Sequence, residues 1–486
     1  MPGFNLVRNA RAFFTTNLNS SKVVQTTGFL PANTSELQVL NGFSYSQNTE
    51  TQVITVNEAG NTVARSQRTF NTALAPVEFS FSTYLRPSGT AVIDAEEKVL
   101  WNALLNNNAP DLAGLSVATV SAFTRAASSD TVTFTCAAAN LSGAGIAVGD
   151  VITVSGILGT DAAEWNMPAV LDAVTAGTLA AATGIRIKYL LAPAGVATSP
   201  ATAPTALKLH KGAITQNPAV APNPAYMLAH SGGSNKNQLQ SFGMIIIADG
   251  VTYLIDNASM GQATVDFGLD GIATVQWTGS GTALRQLATN ATAVTGTFGS
   301  ALTGTFTQKN TAANFITNKL ATVALASNIR GLNGGTAYNV ALTGGSFTVN
   351  NNITYVTPEI LGVVNSPIGY FTGTRAISGT LNAYLKTGTN NTAQLLTDML
   401  ASSATSTETK FSLDLAIGGS SNGVRVELDL PAVMLQIPTI DTQDVLSTTI
   451  NFTAQGFDGS TSAAGGATAS YDLEQSNELF IRYYSV

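Results

Sequence analysis

The sequence predicts a mainly β fold: two tandem β-sandwich or barrel-like domains, each with one helix, plus a small all-β domain inserted in the first. Three observations predict it. One order of elements occurs twice along the chain, the strand segments of both copies alternate apolar and polar residues with period two, and the copies differ by one long insertion. At 486 residues the chain is too long for one core, and a prior of roughly 100–200 residues per domain gives about three.

Copy one opens with Arg8–Leu18 (RNARAFFTTNL) and copy two with Asn318–Ala326 (NKLATVALA). A Gly-led strand segment follows in each, Gly42–Thr55 and Gly345–Thr357. Next come Phe79–Leu85 (FSFSTYL) and Ile377–Leu385 (ISGTLNAYL), which share the endings Tyr84-Leu85 and Tyr384-Leu385. A helix is expected after each. In copy one, Asp94 and Glu97 resemble a capping box ahead of an apolar stripe of Val99, Leu100, Ala103 and Leu104. In copy two, Thr392–Leu400 carries Leu395, Leu396, Met399 and Leu400 at the same spacing. Both stripes read as core faces.

Each copy then runs strand, tight turn, strand, loop, strand. Copy one gives Phe242–Ala248, a turn at Asp249-Gly250, Val251–Ile255 and Gly261–Trp277. Copy two gives Phe411–Ile417, a turn at Asn422-Gly423, Val424–Leu430 and Val445–Ala454. Asp-Gly and Asn-Gly supply the positive φ angles of two-residue hairpin turns. Between helix and hairpin, copy one carries Pro110 to about Pro224, where copy two needs only Ala401–Lys410. Within the insertion, Thr131–Cys136, Gly149–Gly156 and Ile185–Leu190 read as strands, and the Pro/Ala-rich Ala192–Pro224 reads as a linker. A loop accepts an insertion only where there is room, so the inserted domain is expected to face outward. The expected domains are residues 1–109 with 225–300, the insertion 110–224, and 301–486.

Composition bounds the function. Charged residues are 10% of the chain, against roughly 25% in ordinary soluble domains. A charge-poor surface rich in Thr, Asn, Ala and Gly suits a subunit that meets copies of itself, and a polar-neutral secreted β protein would share that composition. The net charge of −7 sits in the last quarter: residues 1–350 hold 17 acidic and 17 basic residues, and residues 351–486 hold 12 and 5. Such a chain lacks the basic footprint of a nucleic-acid binder, but it fits a surface along which a polyanion passes without sticking. The single cysteine, Cys136, rules out an intramolecular disulfide and is compatible with assembly in a reducing cytosol. No apolar run approaches the ~20 residues of a membrane span, Phe242–Ala248 being the nearest. The N-terminal residues lack the apolar core of a secretory signal and read as mature sequence.

No catalytic or metal constellation emerges, and neither enzyme activity nor a cofactor is expected. His210 and His230 read as exposed loop residues, and the chain has no HExxH or CxxC. Gly419–Gly423 (GSSNG) fits the pattern of a nucleophile elbow, yet it lies between two strands and ends in Asn-Gly, so it reads as a hairpin turn. Glu96 and Glu97 open a helix, and Asp441 and Asp444 precede a strand, so neither pair reads as a glycosidase dyad. Trp101, Trp165 and Trp277 read as core or interface anchors.

Val53–Gly60 (VITVNEAG) and Arg68–Leu85 (RTFNTALAPVEFSFSTYL) resemble the first half of the long-tailed siphophage major tail tube protein whose single chain carries two tube domains. Gly344–Pro358 (GGSFTVNNNITYVTP), Pro367–Leu385 (PIGYFTGTRAISGTLNAYL) and Ile437–Leu446 (IPTIDTQDVL) resemble its second half. The resemblance covers roughly residues 1–108 and 225–455. It implies homotrimeric, pseudo-hexameric rings, stacked into a tube in the virion tail and assembled in the host cytoplasm. The partners it implies are the tape measure protein, the tail terminator and the baseplate or tip proteins, with double-stranded DNA passing through unbound and no membrane involved. The inserted domain is a departure from the family, as is the ending at Tyr483-Tyr484 without the immunoglobulin-like C-terminal domain of some relatives. Two other readings are a hub, baseplate or tail-completion ring on the same fold, and a surface adhesin or receptor-binding protein with the insertion as its head.

Val424–Leu430 alternates Val-Arg-Val-Glu-Leu-Asp-Leu, and Phe411–Leu415 repeats the pattern. Asp414, Glu427 and Asp429 are therefore expected to line the lumen, though the same alternation suits an ordinary solvated outer face. The N-terminal arm 1–35 and the loop Gln52–Phe70 are the expected ring-stacking segments, with Arg8, Arg11, Asn57, Glu58, Arg65 and Arg68 as candidates.

Overall fold

The computed structural model describes residues 10–484 except 31–32, 41, 55–67, 88–94, 96, 106–114, 126–130, 158–164, 190–198, 202–203, 205, 212–214, 217–225, 231–238, 249–250, 288–314, 328–335, 362–363, 404–410, 419–423, 442–445 and 456–477. Both turn pairs, Asp249-Gly250 and Asn422-Gly423, lie outside the described residues, as does the GSSNG segment.

The first half contains β1 (Ala10–Thr15), β2 (Thr34–Leu37), β3 (Ser44–Ile54), β4 (Arg68–Tyr84) and α1 (Lys98–Leu105). The insertion follows with β5 (Leu115–Ala118), β6 (Ser121–Arg125), β7 (Thr131–Ala139), β8 (Val151–Ser155), β9 (Pro168–Thr178), β10 (Ala181–Tyr189) and β11 (Ala206–Lys211). Short β12 (Thr215–Gln216) and β13 (Tyr226–His230) lead into β14 (Phe242–Ala248), β15 (Val251–Gly268), β16 (Thr274–Gly281) and β17 (Ala283–Gln286). The second half contains β18 (Thr322–Ala326), β19 (Ala337–Tyr338), β20 (Ala341–Asn350), β21 (Ile353–Val356), β22 (Gly369–Thr372), β23 (Ala376–Tyr384) and α2 (Thr392–Ser403). It ends with β24 (Phe411–Ile417), β25 (Arg425–Leu435), β26 (Thr439–Asp441), β27 (Ser447–Ala454) and the C-terminal β28 (Phe480–Tyr484).

The two halves pair their strands alike. In the first, β1 pairs with β14 and β14 with β15; in the second, β18 pairs with β24 and β24 with β25. The order β3-β4-β16-β15 is matched by β20-β23-β27 followed by β25 and β26. All of these pairs are antiparallel. Gln262–Gly268 of β15 then pairs with Gly344–Asn350 of β20, so one sheet runs from half to half without a break.

Period-two alternation decides which face is dry. Phe79, Phe81, Val265, Val275, Trp277, Phe347, Leu381, Ile450 and Phe452 all point into one core. α1 closes that core in the first half, with Trp101 edge-on to Trp277 at 4.8 Å between ring centroids. In α2, Leu395 and Met399 are buried, but Leu400 is exposed, so that stripe is narrower than its spacing suggested. The second half also reaches across the first through β21 and β22. The Tyr370 hydroxyl donates to the Leu239 carbonyl (2.8 Å), and Asn365 exchanges backbone hydrogen bonds with Thr72 and Leu74.

The inserted strands form a separate seven-stranded sheet among the described residues, ordered β5-β11-β8-β9-β10-β7-β6. It has its own core around Phe134, Trp165, Ile187 and Tyr189. Two expectations change here. The Pro/Ala-rich stretch is not all linker, because β11 within it pairs with both β5 and β8. His210, expected in an exposed loop, is buried on β11 with its Nε2 2.6 Å from Ser155 Oγ. The side chain of His230 lies outside the described residues.

β28 ties the parts together. It pairs with β13 on one edge and β25 on the other. Leu479, Ile481 and Tyr483 enter the main core, while Phe480 and Tyr484 enter the core of the insertion.

Candidate functional site

Opposite the core, the continuous sheet presents a second face, fixed by the same alternation. With Phe79 and Phe81 pointing in, Ser80 and Ser82 must point out. Gln276 and Thr278 of β16, Gln262 and Thr264 of β15, Ser346 and Thr348 of β20, Ser378 and Thr380 of β23, and Thr449 and Asn451 of β27 share that face by register. Their side chains bond across the strands. Ser44 and Ser80 hydroxyls are 2.8 Å apart, Thr264 and Thr348 are 3.2 Å apart, and Ser346 and Thr380 are 3.1 Å apart. Thr449 donates to Asn382 Oδ1 at 3.0 Å. The Thr264–Thr348 contact bridges the two halves.

The charge on this face is one-sided. The segments 44–48, 78–84, 262–268, 274–280, 346–350, 378–384, 439–441 and 447–453 contain no Lys or Arg and three acids, Glu78, Asp266 and Asp441. Glu78 and Asp266 are exposed. Asp266 lies opposite Thr274 and Asp441 opposite Ser447, which are matching positions in the two halves. Hydroxyls and amides that satisfy one another, with only carboxylates among them, offer phosphate neither a counter-charge nor a counterion to release. No nucleophile–base pair or metal-ligand set appears on this face among the described residues.

The face runs out at two strand edges. β3 pairs with β4 on one side, and no strand pairs with its other edge among the described residues. β26 likewise pairs only with β27. Beside that second edge, Met434, Ile437 and Ile440 are 42%, 52% and 46% exposed. An unpaired edge with apolar side chains is an invitation to another strand.

Of the three carboxylates read from the sequence as lumen-facing, Asp429 and Glu427 are drawn into ion pairs inside the subunit. Asp429 is fully buried and ion-paired with Arg482 of β28. Glu427 accepts from Arg425 Nε at 2.8 Å and lies 3.3 Å from Arg482 Nη2, and the Arg425 guanidinium sits 3.7 Å from the centroid of the Tyr484 ring. The expectation fails because the polar side of β25 is not wet: β28 lies alongside it, and Tyr484 reaches from there into the core of the insertion. Burial alone would raise the Glu427 pKa, but the Arg482 charge and the Arg425 hydrogen bond and charge together outweigh it and hold the carboxyl below its usual range. Asp414 is half-buried opposite Asp429 in β24.

A second buried knot joins β28 to α1. Glu97 accepts from the Tyr483 hydroxyl, which in turn accepts from Trp101 Nε1 at 2.7 Å. Glu97 is thus a buried acceptor at the helix start rather than a surface cap. Burial, then the Glu97 charge, pushes the Tyr483 pKa far up, so the phenol remains a donor.

Of the stacking candidates, Arg11 makes a two-pronged pair with Glu36 (2.7 and 2.9 Å) that ties β1 to β2. Arg68 is exposed at the outer end of the β3–β4 hairpin, near exposed Phe70 and Val53. Arg8, Asn57, Glu58 and Arg65 lie outside the described residues. The polar face itself was missed at the sequence level, although strand parity relative to Phe79 and Phe81 was the signal that could have found it.

No family model matches the chain. Over 456 residues it is 25% identical to the tail tube protein pb6 of Escherichia phage T5, an alignment that takes in 92% of this chain and 72% of that protein. No helix among the described residues is long and apolar enough to cross a membrane.

Proposed function

We propose that this chain, a bacteriophage tail tube protein and so a structural component of the virion tail, builds the tube as homotrimeric rings in which each molecule supplies two of six similar domains. Residues 1–109 with 225–300 form one tube domain, 301–486 the other, and 110–224 an inserted domain carried outside. The polar sheet face lines the lumen. Its acids are Glu78, Asp266 and Asp441, in place of Asp414, Glu427 and Asp429. The lumen houses the tape measure protein during assembly and later passes double-stranded DNA, and the tube meets terminator and baseplate or tip proteins at its ends. The chain has no catalytic role.

One observation carries this reading: a face whose paired segments carry no Lys or Arg crosses both halves through the β15–β20 pairing and, among the described residues, stops at two open strand edges. Stacking falls to the β3–β4 hairpin, with Arg68, Phe70 and Val53, and to the segment after β21, where Ile360, Leu361 and Ile368 are 57%, 100% and 67% exposed. A surface that apolar suits a neighbouring ring better than water.

Electron microscopy of the purified protein tests it. Hollow filaments of stacked rings with three chains per ring are expected. Single closed rings that never stack would favour a hub, and dispersed monomers that bind cells or glycans an adhesin. Charge in the lumen gives a second test. Tubes assembled from Thr264→Arg protein would hold short duplex DNA at low salt and release it as salt rises, whereas unmodified tubes would hold none.

A further inference from the structure

On the ring reading above, we propose that an open aromatic clip on the second half, Tyr384 with Lys386 and Leu446, receives Phe4 from the N-terminal arm of a second copy of this chain. Its counterpart on the first half is already filled, by Phe315 of the same chain.

The filled clip lies where the chain crosses from one half to the other. Residues 315–320 lead into β18 of the second half, yet they run along the first half, at the turn between β15 and β16. Ala273 N donates to Ile316 O at 3.0 Å, Asn318 N donates to Gly271 O at 3.1 Å, and Thr317 bridges Ile272. Phe315 stands edge-on to Tyr84 with ring centroids 4.9 Å apart, and the Arg86 guanidinium sits 4.4 Å from the Phe315 centroid. Arg86 is held there by donating to Gln38 Oε1 at 2.7 Å. The segment ahead of one tube domain is thus strapped to the domain before it.

The second half carries the same clip without the strap. Tyr384-Leu385-Lys386 repeats Tyr84-Leu85-Arg86. The Leu385 N–H donates to Leu446 O at 2.9 Å, as the Leu85 N–H donates to Ala273 O at 2.9 Å. Under the strap Ala273 is fully buried and Tyr84 half-buried, whereas Leu446 and Tyr384 are 46% and 48% exposed and Lys386 is exposed as well. A tyrosine ring, a leucine and an ammonium open to water together offer a phenyl ring both faces of a clamp.

Strand register says which residue fills it. β14 and β24 each carry a bulge just after an opening phenylalanine, Phe242 or Phe411, so Ile245 and Asp414 are counterparts. Phe13 lies opposite Ile245 and Ala324 opposite Asp414, which makes Phe13 and Ala324 counterparts in turn. Counting back from those two, Phe4 falls on Phe315, Arg8 on Lys319 and Ala10 on Ala321. Asn5 falls on Ile316 and Leu6 on Thr317, so the arm repeats the aromatic and the base rather than every residue. Residues 1–9 lie outside the described residues, but their sequence gives Phe4 the same reach from its strand that Phe315 has. In a ring, the domain before the first half is the second half of another copy. Phe4 therefore crosses between chains as Phe315 crosses within one.

Phe4→Ala and Tyr384→Ala are each expected to leave subunit melting unchanged and to raise the protein concentration at which tubes form about tenfold, the effect of one lost aromatic clamp. Because the two rings touch, the double variant should be no worse than either single one. Losses that multiply, or no loss at all, would overturn the contact. Tubes carrying benzoylphenylalanine at position 4 should, on irradiation, link that residue to the peptide bearing Tyr384. With isotope-heavy and light copies mixed, the link should join two chains. A link confined to one chain, or to another peptide, would overturn the proposal while leaving the rings standing. Failure of the unmodified protein to form rings at all would overturn the ring reading itself.

Discussion

Replacing Arg482 with methionine is expected to destabilise the subunit by about 3–5 kcal/mol, the cost of stripping one partner from a buried ion pair. The side chains of Arg482 and Asp429 are 3% and 1% exposed, and Arg482 also reaches Glu427. Without the guanidinium, Asp429 remains as a charge sealed from water, and Glu427 keeps Arg425 and the Tyr484 hydroxyl but loses the Arg482 charge. Thermal melting followed by circular dichroism would show a lowered transition, or the variant would fail to accumulate in soluble form. The double variant Arg482→Met/Asp429→Leu should recover most of the loss, since an apolar pair of similar volume often replaces a buried ion pair at little cost. If the double variant is as unstable as the single one, the ion pair is not what holds β28 to β25.

The same knot sets the response to acid. The Glu427 carboxyl is held below its ordinary pKa of 4.5. A depressed folded-state pKa contributes stability that is present above the unfolded value and is lost as pH falls through the folded one. The unmodified protein should therefore keep its melting temperature from neutral pH down to about pH 5 and lose it below. In Arg482→Met the charge that opposed desolvation is gone, so the Glu427 carboxyl is no longer held down as far and the loss of stability on acidification should shrink. Melting curves at stepped pH on the two proteins read this directly.

Much of the fold was legible because tube strands obey parity. Phe79, Phe81 and Trp277 on one side, with Ser80, Ser82 and Gln276 on the other, leave little choice of face. Tyr84-Leu85 and Tyr384-Leu385 then align the two halves. What misled was reading Arg425, Glu427 and Asp429 as a wet face because they are charged. Alternation says that two faces differ, but not which is covered, and the cover here comes from Phe480–Tyr484, some 50 residues downstream. Nothing local to β25 signals that partner. In the same way, β11 was hidden in a Pro/Ala-rich stretch because its short run, Ala-Leu-Lys-Leu-His-Lys, becomes a strand only between β5 and β8. The acids of the polar face were hidden for the opposite reason. Asp266 and Asp441 sit singly among threonines, and only their matching places in the two halves make them a set.

Removing residues 479–486 should have the largest effect of any change considered. All five residues of β28 are buried, and at roughly 1.5–3 kcal/mol per large apolar side chain their burial approaches the whole stability of a typical domain. The deletion would also leave β13 and β25 with a bare edge each, strand the Glu97 carboxylate without Tyr483, and open the core of the insertion where Phe480 and Tyr484 had filled it. The truncated chain is expected to bind a hydrophobic dye, to be cut readily by protease within the insertion, and to form no tubes. A synthetic peptide of residues 476–486 should restore protease resistance in part, because a strand that adds to two waiting edges can do so from outside the chain. A truncated protein that assembled normally would mean that β28 is an ornament, and that the insertion and the two halves hold one another by some other contact. Recovery by the peptide would instead make β28 the piece that sets the insertion on the tube wall, so the insertion could be repositioned by editing five residues far from it in sequence.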